Sequence, residues 1–491
     1  MSNPTTTPNI RQPHPRGLMP MFFTEMWERF SYYGMRAMLV LYLLDNVRGG
    51  KGLSKEVATA IYGLYTASAY LMPLIGGWVA DRFIGAQKAI WYGGIVILMG
   101  HVTLAISHGD GFYFGLALIV LGTGLLKPNV SVIIGELYPE GGARRDAGFT
   151  IYYMSVNLGA AIGPLISSYL GEKFNWHYGF GAAAVGMLLG LIQFRLSLKT
   201  LGECGRHPGH RGASTSNDKI LLGAVLTGVA LVLTLPWLGL IQINPVLLAS
   251  RTSYVIAGVA ILYFTTAFLF LNLTHQEKQR LGIIALLFLA SVMFWSGFEQ
   301  AGSSFNLFAQ DYTQRVFGTF QIPTGWFQTL NPICVITLAP LVAMVWVRLA
   351  RRNRDLTLNN KFAMGLFLLA AGFVVMAAAS KLVCNGNKVL PTWLIATYFI
   401  HSVGELCLSP VGLSSVTKLA PRRLVGQMLG FWYLANSLAN LIAGLIAGKL
   451  SAGTPAEMSG LYMQIVFMSV GVGGFLLLFT KPIKSIMKGI E

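Results

Sequence analysis

Residues 18–45 read LMPMFFTEMWERFSYYGMRAMLVLYLLD. The run is long enough to cross a bilayer core, which takes about 20 helical residues for roughly 30 Å of hydrocarbon. Yet it carries Glu25, Glu28, Arg29 and Arg36. A charge at the bilayer centre costs about 2.5–3.5 kcal/mol on insertion scales, so these positions must pair, meet water or act. Glu25, Glu28, Arg29, Tyr32, Tyr33 and Arg36 fall at i, i+3, i+4, i+7, i+8 and i+11. With 3.6 residues per turn they form one continuous stripe. Lipid cannot solvate such a stripe, so this helix turns it toward the interior of a bundle.

Similar apolar runs recur along the whole chain. Fourteen spans are expected, near 18–45, 56–81, 87–108, 111–137, 148–171, 178–198, 219–239, 253–273, 282–310, 326–349, 361–381, 390–417, 424–449 and 459–480. Of 491 residues 54% are hydrophobic and 11% charged, with a mean hydropathy of +0.59. Soluble domains carry about 25% charged residues. The chain reads as an all-α polytopic membrane protein, and the composition excludes a soluble enzyme, a disordered chain and a disulfide scaffold. Cys204, Cys334, Cys384 and Cys407 show no paired spacing and read as reduced core residues, not disulfides or metal ligands.

The net charge of +17 reports topology. With fourteen spans, 24 of the 36 Lys and Arg residues fall in the loops and termini of one side, nine on the other, and Arg29, Arg36 and Lys127 within the membrane. Such asymmetry places both termini in the cytoplasm. A nucleic-acid surface would instead join clustered cations to exposed aromatics, so no nucleic-acid partner is expected. The richest cytoplasmic loops hold Lys199, Arg206 and Arg211, then Arg348, Arg351, Arg352, Arg354 and Lys361. Residues 1–17 read as a tail without a cleavable leader, and 481–491 as a second tail.

Residues 199–217, rich in glycine and polar residues, have no apolar period and read as a linker. They divide the chain into a six-span part, 18–198, a connecting part, 199–280, with two uncharged spans expected to face lipid, and a second six-span part, 281–480. A faint repeat supports the division. Gly122-x-x-x-x-Lys127-Pro128 is echoed by Gly404-x-x-x-x-Ser409-Pro410, and Tyr152, Tyr153 and Asn157 by Trp432, Tyr433 and Asn436. Two such halves with a site between them form a transporter architecture.

Three more intramembrane charges, Lys127, Glu299 and Glu405, stand beside glycines or prolines, which suggests helices that bend. His401, four residues before Glu405, reads as a packed residue with a proton relay as the alternative. Asp81 and Arg82 read as a hinge or latch at a helix end.

These residues carry a resemblance. Glu25-x-x-Glu28-Arg29-Phe30-x-Tyr32-Tyr33-Gly34 is similar to the first-helix signature of the proton-coupled oligopeptide transporters. Gly122-x-Gly124-x-x-Lys127-Pro128-Asn129, Phe149-x-x-Tyr152-Tyr153-x-x-x-Asn157-x-Gly159, Phe298-Glu299-Gln300 and Gly404-Glu405 extend it along the chain. Gly76-Gly77-Trp78-x-x-Asp81-Arg82-x-x-Gly85 resembles the loop motif of the wider major facilitator group. The resemblance implies a major facilitator fold with an inserted helix pair. It also implies symport of di- and tripeptides with protons by a monomer in a bacterial inner membrane, without a cofactor or metal.

A zwitterionic peptide needs cations for its carboxylate and an anion for its amine. The resemblance assigns Arg36 and Lys127 to the first and Glu405 to the second. Asn157, Asn331 and Asn436 would serve as polar contacts, Tyr32, Tyr70 and Tyr152 would offer hydroxyls, and Trp295 and Trp432 would wall side-chain pockets. It implies two gate pairs, Arg36 with Glu299 and Lys127 with Glu405. Glu25, Glu28, Arg29 and Glu299 would couple the proton, with the first three meeting Lys127. Animal relatives use a histidine in the second helix; none occurs in 56–81, so coupling is expected to run through carboxylates. The alternative is proton-coupled transport of another small solute, such as an amino acid, nitrate or a drug. Nitrate would leave Glu405 without a purpose, and a drug antiporter would not need both Arg36 and Lys127. A membrane enzyme is disfavoured, because the spans hold no aspartate pair and the chain no HExxH motif.

Overall fold

Backbone N–H and C=O groups find no partner in hydrocarbon, so each apolar run must satisfy them within its own helix. The computed structural model describes residues 13–107, 109–209, 214–352, 356–384 and 386–487. In it the first part of the chain forms α1 (Leu18–Leu44), α2 (Lys55–Val79), α3 (Ala86–Ile106), α4 (Gly111–Glu136), α5 (Gly142–Lys173) and α6 (Trp176–Ser197). A helix pair follows, α7 (Ser216–Trp237) and α8 (Pro245–Phe270). Then come α9 (His275–Phe298), α10 (Ser304–Tyr312), α11 (Leu330–Arg351), α12 (Leu358–Val383), α13 (Thr392–Leu419), α14 (Val425–Ala452), α15 (Pro455–Leu478) and the short α16 (Thr480–Met487). Ten described segments qualify as membrane spans by length and composition alone. With α1, α2, α7 and α13, each 22 to 28 residues long, the long helical segments number fourteen among the described residues. Of the expected features, residues 1–12 and 488–491 of the tails, Arg211 and Arg354, and the side chain of Pro410 lie outside the described residues.

Most helix ends fall within a few residues of expectation, and the exceptions have local causes. The eighth span starts eight residues early: the Asn244 side chain accepts from Leu247 N and Pro245 occupies the first turn. Arg251 is thereby drawn into α8, on an exposed face near its end, where a long side chain can reach toward the interface. The ninth span begins at a capping box made by Thr274 and Glu277. It is not continuous, because a 3₁₀ turn over Glu299–Gly302 separates α9 from α10. The expected corner at Asp81 and Arg82 is a single π-helical turn, Ala80–Ile84. Arg82 reaches Asp218 of α7 at 3.6 Å, tying the corner to the helix pair.

The helix pair is less uniform than expected. α7 is mostly exposed along its described side chains, as a lipid-facing helix would be. α8 instead buries Ala249 and Ile256 among Ala60 and Ala67 of α2, Val292 of α9, and Ala435 and Leu438 of α14. It thus packs on helices from both six-helix parts.

Consecutive spans run antiparallel, so the bundle has a turn end, carrying the α1–α2 connection, and a terminal end where α1 starts. The two six-helix parts meet closely at the turn end. There Gly63 of α2 lies against α14 so tightly that an added methyl would meet Asn440 O and Gly444 Cα, each at 3.1 Å. Such close backbone approach suits lipid, where apolar burial alone does not favour helix contact. The α10–α11 connection holds a two-residue hairpin, β1 (Val316–Phe317) with β2 (Phe320–Gln321), and a 3₁₀ segment, Thr324–Thr329. That segment docks on the last turns of α5, as described below.

Candidate transport site

The polar stripe of α1 is buried as its spacing requires: Glu25, Glu28, Arg29, Tyr32 and Arg36 are each at most 5% exposed. Arg29 Nε donates to Glu25 Oε1 at 2.7 Å and sits 2.7 Å from Glu28 Oε2. One guanidinium thus holds two carboxylates within a single helical turn. A further turn along, Tyr32 stacks on Tyr65 of α2, ring centres 6.1 Å apart.

Two turns beyond Arg29, the Arg36 guanidinium ion-pairs with Glu299 in the other half of the chain. This is the first of the two implied gate pairs, and the 3₁₀ turn after α9 is what aims Glu299 at α1. Arg36 Nε also donates to the hydroxyl of Tyr62, a residue sequence reasoning did not single out. Gly302 closes over that hydroxyl so tightly that no side chain fits. The available signal was the spacing of Tyr62, Tyr65 and Tyr70 along one face of α2, but tyrosines at helical spacing also read as ordinary core. Burying a charge pair gives little net stability against an apolar pair, whereas removing one partner leaves a lone buried charge. Such a pair suits a switch better than a staple.

The second implied pair is not formed here. Lys127 Nζ lies over the Tyr70 ring, 4.4 Å from its centre, and makes no ion pair among the described residues, neither with Glu405 nor with the α1 carboxylates. Glu405 Oε2 accepts from Asn331 Nδ2 at 2.9 Å. The same Asn331 amide donates to Ser402 Oγ at 3.0 Å, and Ser402 passes its own hydrogen to Tyr398 O. Ser402 is a second residue that the sequence did not mark. Lys127, Tyr70, Tyr152, Trp295, Asn331, Glu405 and Trp432 are all only partly buried. Lipid could not solvate a partly exposed lysine and glutamate at mid-span, so this surface faces an aqueous space between the halves.

The remaining candidates are placed as follows. Asn157 donates to Tyr153 O at 3.0 Å, and Asn436 to Trp432 O at 3.0 Å. The two echoed motifs therefore fold alike, each asparagine amide turned back on its own helix. Tyr152 receives a long contact from Ser131, 3.5 Å. The His401 ring is enclosed by Phe298, Phe305 and Phe373, and its Nε2 meets Leu369 O at 3.1 Å. It is packed in the core, and no hydrogen bond joins it to Glu405 among the described residues.

Two six-helix bundles, an extra helix pair, and intramembrane charges lining the space between the halves define a transporter of the major facilitator fold. The signature of the POT family matches residues 87–465, and the chain belongs to that family; it is a multi-pass membrane transporter and not an enzyme. The peptide transporter YePEPT of Yersinia enterocolitica is 41% identical over 508 aligned residues, covering 100% of this chain and 99% of its own. A di-/tripeptide transporter of Lactococcus lactis subsp. cremoris is 36% identical over 492 residues, covering 97% of each chain. Among solved structures, a mutant of the peptide transporter POT in complex with alafosfalin superposes with a TM-score of 0.89 at 40% identity, covering 97% of this chain and 96% of that one.

Proposed function

We propose that the chain is a proton-coupled symporter of di- and tripeptides, working by alternating access between bundles 18–198 and 281–480 joined by 199–280. It acts as a monomer in a bacterial inner membrane with both termini cytoplasmic; one chain carries both halves of the site, and the charge asymmetry supports the orientation. The carrying observation is the unequal state of the four central charges: Arg36 and Glu299 are joined, while Lys127 and Glu405 stand apart at a water-facing surface. A cation in one half and an acid in the other match the ends of a zwitterion. The di-/tripeptide transporter of Lactococcus and the alafosfalin complex support that ligand class.

In this scheme Lys127 takes the peptide carboxylate and Glu405 the amine. Tyr32, Tyr70, Tyr152, Asn157, Asn331 and Asn436 serve the polar backbone, with Trp295 and Trp432 beside the side chains. Protonation of Glu299 releases Arg36, which then also meets the carboxylate, and the turn end opens. The Glu25–Arg29–Glu28 cluster senses the carboxylate through Lys127. With the turn end facing out, the structure is closed to the outside and open to the cytoplasm.

The test is uptake of labelled dialanine into proteoliposomes under an inward proton gradient with a negative interior. Accumulation that an ionophore abolishes is expected. No uptake by a folded, inserted sample would overturn the peptide reading, and amino acids, nitrate and drugs would then be screened on the same scaffold.

A further inference from the structure

Gly412 lies seven residues after Glu405 on α13, hence on the same helix face and about 10 Å along the axis. That distance is the reach of a peptide of two or three residues. The six-membered ring of the Trp432 indole rests directly on Gly412. A methyl added there would overlap Cη2 and come within 2.7 Å of Cζ2 and 3.2 Å of Cζ3. Something would have to yield, and the surroundings decide what. The α14 backbone is pinned, because Ser437 Oγ donates to Ala67 O at 3.0 Å and Gln300 Nε2 to Ala443 O at 3.1 Å. Trp432 itself is only partly buried, which leaves the indole room to swing off α13 toward the space between the halves.

We propose that Gly412 is a specificity-determining position: its missing side chain lets the Trp432 indole lie back against α13, and this sets the largest side chain the peptide site accepts. Gly412 touches no substrate; it acts by positioning Trp432. The proposal rests on the peptide reading above and adds to it the residue that fixes the size limit. A change of one methylene's volume in a pocket discriminates by about 10- to 200-fold.

The experiment compares dialanine and diphenylalanine uptake by wild type, Gly412→Ala, Trp432→Phe and the double variant in proteoliposomes. Gly412→Ala is expected to keep the dialanine KM within about twofold and to raise the diphenylalanine KM by about tenfold or more, with kcat little changed. Phenylalanine at 432 lacks the outer ring atoms that clash, so the double variant is expected to return to the Trp432→Phe values. Equal losses for both peptides, or effects that simply multiply in the double variant, would overturn the proposal. If Gly412→Ala carries neither peptide, rescue by the double variant supports the proposal and failure to rescue overturns it. Wild type that carries neither peptide overturns the peptide reading itself, and the size limit falls with it.

Discussion

The turn end and the terminal end of this bundle are built from the same two halves, yet they meet in opposite ways. At the turn end the central contacts between halves are directional and buried or partly buried. Besides Arg36 and Glu299, Asn306 Nδ2 donates to Ala37 O at 2.9 Å and Trp326 Nε1 to Leu165 O at 2.9 Å. Glu172 at the end of α5 accepts from Thr324 N at 2.7 Å and Gly325 N at 2.9 Å, with Arg315 3.7 Å away. Gly325 seats on Ser168 with no room for a side chain. Toward the terminal end, α11 buries only Pro332 and Val335, Leu74 is 38% exposed, and Lys127 rests on an aromatic ring and makes no ion pair among the described residues. One seam is held by paired charges and backbone acceptors, and the other leaves its charges to water. In the proposed cycle the seam that opens is the one whose locks can be titrated or displaced.

The largest effect should come from the central lock. Glu299→Gln leaves Arg36 as a lone buried cation, at a cost of about 3–5 kcal/mol or at least two orders of magnitude in the closed population. A cysteine in place of Ser168, fully buried under Gly325, in a background free of the other cysteines, would report opening through its maleimide labelling rate. Labelling should rise by about 100-fold, and proton-driven uptake should fall to the ionophore-treated level while counterflow persists. Unchanged labelling would mean that the turn end is held elsewhere.

Lys127→Ala tests the other side of the contrast. Labelling at the turn end should stay within about twofold, because Lys127 locks nothing in this state. The peptide KM should rise by about 10- to 150-fold, the value of a hydrogen bond to a charged group at 1.5–3 kcal/mol. Should labelling rise instead, Lys127 would be supporting the closed seam at a distance.

What the sequence made legible divides along the same line. The spans, the α1 stripe and the two halves follow from apolar run length and 3.6-residue spacing, which lipid enforces strictly. The break after α9 was visible only as glycines beside Glu299, because a 3₁₀ turn leaves no periodic signature in four residues. Arg36 and Glu299 are 263 residues apart; only a family resemblance joined them, and nothing in either neighbourhood names the partner. Tyr62 and Ser402 escaped because their roles depend on what faces them across a helix interface. The contacts of Glu172 were invisible for a further reason: its partners are backbone N–H groups, which every residue possesses.

Those contacts make Glu172 the next most informative position. A glutamine there keeps the shape but offers a single neutral acceptor for two backbone donors that both now meet a charge. The loss should be about 1.5 kcal/mol, or roughly tenfold in the labelling rate of the cysteine in place of Ser168, with peptide KM little altered. Labelling equal to the parent would show that Gly325 packing and Trp326 carry the docking of residues 324–329 without the carboxylate.

The smallest effect is expected at the rim of the same seam. Lys55 and Asp311 also bridge the halves, at 2.8 Å, but their side chains are 35% and 33% exposed. An exposed pair gives about 0.2–1 kcal/mol, because water already solvates both charges and two long side chains must be ordered to join them. Lys55→Ala should therefore raise labelling by less than about fivefold. At 1 M salt, where the screening length shrinks to about 3 Å, the difference from wild type should vanish, whereas the effects of Glu299→Gln and Glu172→Gln should persist. The reason is burial: salt screens charges it can approach, and Glu299 and Arg36 are each at most 5% exposed. If Lys55→Ala matched Glu172→Gln in size and resisted salt, the rim and not the buried centre would set how firmly the turn end stays shut.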